Sequence, residues 1–222
     1  MARLTWLDEG THKYKLGVDM TTLYPRDVTK KTWATGVAWN GVTTVTESPS
    51  GGDENKYYAN NELYLSMRGL EELGFSIEAY YSPEEFDECD GQASPAPGLK
   101  ITQQTRKPFC FAYRKKIGND TEGIDYDYEI HILYNATCSP TEESAETINE
   151  SPEPGTMSWE CSALPVPVPG YKPTARIKLT ASETPEAALK KIEDALFGGE
   201  DSEPHVLMPA ELIQILNENA SA

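Results

Sequence analysis

Positive charge is scarce in this chain: 19 Lys and Arg stand against 36 Asp and Glu, a formal net charge of −17. Neutralising a nucleic-acid backbone takes a basic patch, so this balance argues against that class of binder. No apolar run nears the ~20 residues that a membrane-spanning helix needs. The opening "MARLTWLDEG" lacks the charged start and apolar core of a secretory signal. A soluble chain made in a cytoplasm, with no membrane partner, is therefore expected. The four cysteines, Cys89, Cys110, Cys138 and Cys161, are widely spaced with no CxxC pair. A zinc site is not indicated, and reduced, buried thiols are expected. The N-x-S/T sequences at Asn119, Asn135, Asn149 and Asn219 read as chance without a secretion signal.

Catalytic signatures are missing too. There is no GxGxxG, Walker-type loop, GxSxG or HExxH. His12, His131 and His205 lie far apart in sequence. His131 shares a strand face with Asp127 and Glu129, but alternation produces such a row on any solvent-facing strand. "GNDTEGIDYDYE" has calcium-loop spacing at Asp120, Glu122 and Glu129, yet places Gly118 at the first ligand position and lies between strands. No metal, cofactor or catalytic residue is expected, and the chain is read as a non-enzyme. A hydrolase with a triad dispersed along the chain is the weakest alternative.

What the sequence does contain is period-2 alternation. "HKYKLGV" puts Tyr14, Leu16 and Val18 on one face, and "GFSIEAYY" aligns Phe75, Ile77, Ala79 and Tyr81. "FCFAYRKK" aligns Phe109, Phe111 and Tyr113. In "IDYDYEIHILYNA", Tyr126, Tyr128, Ile130 and Ile132 oppose Asp125, Asp127, Glu129 and His131. "TMSWECSA" and "TARIKLTA" add two more strands. Such strands predict an antiparallel sandwich or barrel, with Gly118–Gly123 as the turn of a long hairpin.

Only one long helix is expected, at about 185–197. Thr184 is placed to cap it, Pro185 to start it and Gly198–Gly199 to end it, with Ala188, Leu189, Ile192, Ala195 and Leu196 as its apolar stripe. A shorter helix is expected over Met208–Asn219, with Leu212, Ile213 and Leu216 inward. Pro140–Gly155, with five acids and no base, reads as a solvated connection, and Leu164–Pro173 as extended. The domain is expected to span 1–200, followed by a C-terminal extension, 201–222. The stretch 47–62 is expected as a long loop, because Ser48, Pro49, Ser50, Gly51, Gly52 and Asp53 are turn and linker types. Asn60–Asn61 then marks a turn before a strand carrying Leu63, Leu65 and Met67.

Two segments together resemble a known family. "GVAWNGVTTVTESPSGGDENKYYANNELY" followed by "GFSIEAYYSPEEFDECDG" is similar to the major tail tube protein of long, non-contractile-tailed bacteriophages, with matches at Gly41–Thr46, Glu54–Asn61 and Ile77–Gly91. The later hairpin, "SWECSALPVPVPGYKPTARIKL" and the helix follow in the same order over roughly residues 1–200, while Tyr80-Tyr81-Ser82-Pro83 departs slightly from the family pattern.

The resemblance implies a β-sandwich flanked by a helix, six copies closing into a ring, and rings stacking into a virion tail tube made in the bacterial host. It implies self-contacts, a tail-tip initiator, a tape measure protein and a terminator as partners, with genomic DNA passing through without specific binding. On that reading Gly51, Gly52, Asp53, Glu54, Asn55, Lys56, Tyr57 and Tyr58 form an arm that is disordered in the free monomer and orders on the adjacent ring, with Tyr57 and Tyr58 as its anchors. Glu78, Asp125, Asp127 and Glu129 are the candidate lumen acids that keep phosphates off the wall. Without the resemblance, the residues also fit a carbohydrate- or protein-binding β-sandwich, such as a virion decoration domain, for which the 12 tyrosines leave room.

Overall fold

A computed structural model describes residues 6, 8–142, 145, 147–148, 150, 154–200 and 202–219. Parts of the opening segment, of the acidic Pro140–Gly155 connection and of the expected C-terminal extension lie outside the described residues.

Fifteen strands and two helices follow one another among the described residues. They are β1 (Tyr14–Asp27), β2 (Thr32–Trp33), β3 (Val37–Ala38), β4 (Val42–Gly51), β5 (Glu54–Ala59), β6 (Glu62–Arg68), β7 (Glu71–Ala79), β8 (Ala93–Ala96) and β9 (Leu99–Ile101). Then come β10 (Phe109–Asn119), β11 (Gly123–Cys138), β12 (Met157–Ala163), β13 (Val166–Val168), β14 (Tyr171–Thr174), β15 (Arg176–Thr180), α1 (Glu186–Phe197) and α2 (Pro209–Asn219). The mainly β, antiparallel class read from alternation is the class observed.

One sheet organises the chain in the order β2-β1-β10-β11-β12-β7-β4. β11 forks: residues 129–133 pair with β15 and residues 136–138 pair with β12. Both faces of β10 are buried, because alternate residues serve different cores. Phe109, Phe111 and Tyr113 enter an inner cluster with Trp39, Phe75, Ile77, Phe86, Leu133 and Trp159. Cys110 and Ala112 face a second cluster with Tyr24, Ile130, Ile132 and Tyr134, covered by Ile192, Ala195 and Leu196 of α1 and by Leu212 of α2. The inner cluster is built on aromatic contacts, with Trp39 4.4 Å from Phe86 and 5.3 Å from Trp159 between ring centroids. Each such pair adds roughly 0.5–1.5 kcal/mol beyond its buried area.

Local details depart from expectation in four places. Pro185, not Thr184, is the N-cap of α1, and the Thr184 hydroxyl donates instead to the Thr180 carbonyl, closing a short 3-10 turn at Ala181–Glu183. In β1, the left-handed residues Gly17 and Met20 insert register shifts that break the alternation begun at Tyr14. On α2, Ile215 packs on the second cluster where Ile213 was expected. The C-terminal stretch belongs to that same cluster, with Val206, Leu207 and Leu212 almost fully buried.

The fourth departure is the largest. Residues 47–62, expected as a loop, are strand over most of their length. β4 runs on through Ser48, Pro49 and Ser50 to Gly51, paired with Glu71–Gly74 of β7, and β5 resumes at Glu54. Both ribbons are exposed there, so no burial pattern marks them, and backbone pairing alone holds them extended.

Candidate functional site

Val42 to Ala79 form one long hairpin with a bend in the middle. Its lower ladder, β4 with β7, lies on the inner core; its upper ladder, β5 with β6, stands clear of it. At the tip Asn60 and Asn61 both take positive φ, 52° and 66°, the signature of a two-residue type I′ turn. At the bend Gly51 and Gly52 have φ of 81° and 74°. The Gly52 N–H donates to the Leu70 carbonyl, and the Gly69 N–H to the Asp53 carbonyl. A Cβ on Gly51 would lie 2.5 Å from the Leu70 oxygen, so only glycine fits.

The 13 residues of β5 and β6 are all exposed. Tyr57 pairs with Leu65 and Asn55 with Met67 on one face, while Tyr58 pairs with Leu63 on the other, across a register shift between the two tyrosines. Their exposures are 53% for Tyr57, 70% for Tyr58, 53% for Leu63, 46% for Leu65 and 54% for Met67. The Tyr58 face also carries Glu54, Lys56, Ser66 and Arg68, tied by a Ser66 hydroxyl bond and a Lys56 contact to the Glu54 carboxylate. A two-stranded hairpin is marginally stable on its own in water, and exposed apolar faces of this kind mark interaction surfaces.

The acids named from sequence fall on separate surfaces. Glu78 lies on the outer face of β7, opposite Thr44 of β4 and Ser158 of β12. The same face carries Thr46, Ser48, Glu72, Ser76, Glu160 and Ser162 and no basic residue. Asp125, Asp127 and Glu129 instead follow one another on β11. Asp125 is exposed, 3.4 Å from the Lys116 ammonium. Asp127 accepts bonds from the Ser182 N–H and hydroxyl. The Lys15 ammonium lies 2.6 Å from Glu129, which also meets His131.

The row containing His131 does not face solvent as its alternation suggested. It turns inward along its length, from exposed Asp125 to His131, which is 2% exposed. His131 meets a carboxylate from a distant strand. Glu47 of β4 points inward and accepts from the Tyr113 hydroxyl at 2.8 Å, while its Oε1 lies 2.8 Å from His131 Nδ1. Arg176 donates to its other oxygen, and the Lys178 ammonium is 3.8 Å away. Burial alone pushes the Glu47 carboxyl up. Hydrogen bonds from His131 and Tyr113, with the charges of His131 and Arg176, outweigh it and bring its pKa down from 4.5 to about 2.

Both His131 nitrogens face carboxylates, so the ring has no open nitrogen for general-base work. The cluster therefore braces the fold. Sequence inspection missed it because its members come from β4, β10, β11 and β15. The available signal was parity: Glu47 shares the inward register of Val45, and His131 that of Leu133. Among the described residues no group of three or more His, Cys, Asp or Glu is placed to hold a metal ion.

No family model matches the chain, and no curated protein does. Among solved structures it is similar to a chain of the PVC sheath–tube complex, an extracellular contractile injection system in its extended state. That match has a TM-score of 0.38 and 13% identity over 72% of this chain and 88% of the other. It is also similar to the tube-terminating cap of the anti-feeding prophage, at a TM-score of 0.31 and 12% identity, over 82% of this chain and 97% of that one. Both scores are too low for a shared fold to be read from them.

Proposed function

We propose that the chain is a structural virion protein that assembles into a phage-type tail tube, with six copies to a ring and the β5–β6 arm docking on the next ring. The observation that carries this reading is the arm itself. It offers Tyr57, Leu65 and Met67 on one face and Tyr58 and Leu63 on the other, all exposed, on an ordered hairpin too thin to stand on its own packing. A second copy of the chain is the partner, and stacking would bury these side chains, with the tyrosines as aromatic anchors of an interface. The sheet edges at β4 and β15 would be covered by neighbouring copies in the ring, removing open strand edges.

The outer face of β4, β7 and β12 suits a lumen wall along which DNA slides. It presents hydroxyls with Glu72, Glu78 and Glu160 and no cation to hold a phosphate. Asp125, Asp127 and Glu129 would contribute less, since Lys116, Ser182 and Lys15 already engage them. A tail-tip initiator, a tape measure protein and a terminator would be the further partners.

Electron microscopy of the concentrated protein tests the reading, alongside a variant in which a short turn replaces residues 54–68. Hollow tubes of uniform width are expected from the parent chain, and only folded monomers or single rings from the variant. Tubes from both, in equal yield, would remove the arm from the assembly mechanism.

A further inference from the structure

Cys138 ends β11, and Cys161 lies directly opposite on β12. One step further on, the Ser139 N–H donates to the Glu160 carbonyl at 2.7 Å, which makes 139/160 a hydrogen-bonded pair. Such pairs alternate with non-hydrogen-bonded ones along an antiparallel ladder, so 138/161 is of the second kind. Non-hydrogen-bonded pairs hold their Cα atoms about 4.5 Å apart, within the roughly 4.4–6.8 Å that a disulfide spans. Here both side chains enter the inner cluster, both thiols are free, and the two Sγ atoms are 2.8 Å apart. Cys110 lies on the other face of the sheet, beneath the helices.

We propose that Cys138 and Cys161 are a modification site: a dithiol that closes to an intramolecular disulfide when the chain meets a small disulfide oxidant. One thiolate attacks the oxidant's S–S bond, expelling one small thiol and leaving a mixed disulfide. The second protein thiolate then displaces the other small thiol. Two protein S–H bonds and one oxidant S–S bond become one protein S–S bond and two small thiols. The protein loses two electrons and the oxidant gains them.

Position governs the rate. The hydrogen bond from Cys161 and burial both raise the Cys138 pKa, so that thiol does not ionise readily while the ladder is closed. Since the pair stands at the end of the ladder, opening from that end exposes it without unfolding the sheet. Once formed, the bond would lock β11 to β12 beyond the fork, where β11 has exchanged β15 for β12. It would also close the whole acidic connection between the two strands into a covalent loop.

The full-length chain, reduced and then equilibrated with glutathione disulfide in urea below its unfolding midpoint, provides the test. Free thiols are alkylated after denaturation and the links mapped by mass spectrometry. The expected product carries one link, Cys138 to Cys161, with Cys89 and Cys110 alkylated. Its Tm should rise by roughly 5–10 °C over the reduced chain. Cys161→Ala should carry no internal link, and if that variant fails to fold, the parent's map decides alone. Four alkylated thiols at equilibrium, a stable glutathione adduct, a link through Cys89 or Cys110, or a bond that leaves Tm unchanged or lower would each overturn the assignment.

Discussion

Arg176 on β15 donates to the carboxylate of Glu47 on β4, 129 residues earlier in the chain, although no ladder joins those two strands. The contact lies where β11 forks and backbone pairing gives out. Tyr113 and His131 from the two central strands complete it, so one carboxylate holds four strands together. A charge in this position is costly to bury alone and holds its place through the partners gathered around it.

Glu47→Gln keeps the size of the side chain and removes its charge. Arg176 then loses its counter-charge and His131 one of the two carboxylates it faces, and breaking a buried pair from one side costs about 3–5 kcal/mol. Urea unfolding should show a loss in that range. Lys178→Gln provides the contrast, because Lys178 is 41% exposed and 3.8 Å from the carboxylate, and should change stability by under about 1 kcal/mol. Equal losses from both variants would mean that the network is not the brace described.

The same carboxylate sets an acid limit. Its folded pKa of about 2 lies below its ordinary value of 4.5, so the folded state binds its proton less readily than the unfolded state. The resulting stabilisation is complete above about pH 5 and is lost as pH falls from there toward 2. It amounts to about 3 kcal/mol from this group, and Glu129, whose pKa is also lowered, acts in the same direction. Unfolding free energies measured from pH 6 down to pH 2.5 should fall steeply in the parent chain and more shallowly in Glu47→Gln. Parallel slopes would place the acid sensitivity elsewhere.

These groups also mark where the sequence stops being readable. Strands with one buried face, such as Phe75-Ile77-Ala79 and Trp159-Cys161, announce themselves by alternation, and the stripe of α1 by its spacing. β10 is legible as a strand but not as one buried on both sides, because Cys110 and Ala112 are small enough to suit either environment. Ser48 to Asp53 read as loop for a different reason: a ribbon exposed on both faces has no burial periodicity to display. The Glu47 cluster is non-local, so only the register of four strands reveals it.

Tyr24 on β1 ties the sheet to α1. Its buried hydroxyl donates to the Leu196 carbonyl at 2.5 Å, near the helix C-terminus, while Tyr134 does the same for the Leu207 carbonyl at 2.9 Å. Tyr24→Phe leaves the packing intact but strands a buried carbonyl, at about 1–2 kcal/mol. Hydrogen exchange should report faster opening of α1 amides than of β11 amides in that variant. A uniform change would mean that helix and sheet open only together.

The bend below the arm gives two neighbouring glycines different tasks. Both have positive φ, so alanine at either costs about 1–2 kcal/mol in backbone strain. At Gly52 the added methyl would lie 3.3 Å from the flexible Glu71 Cγ, which can move. At Gly51 it would lie 2.5 Å from the Leu70 carbonyl oxygen, which is held by the Gly52 N–H. Gly51→Ala should therefore destabilise the chain measurably more than Gly52→Ala in urea. On the tube reading, it should also suppress assembly more than it suppresses folding, because the arm leaves the bend in another direction. If the two substitutions behave alike, close approach to Leu70 does not set the bend, and the arm owes its direction to the positive φ of the paired glycines alone.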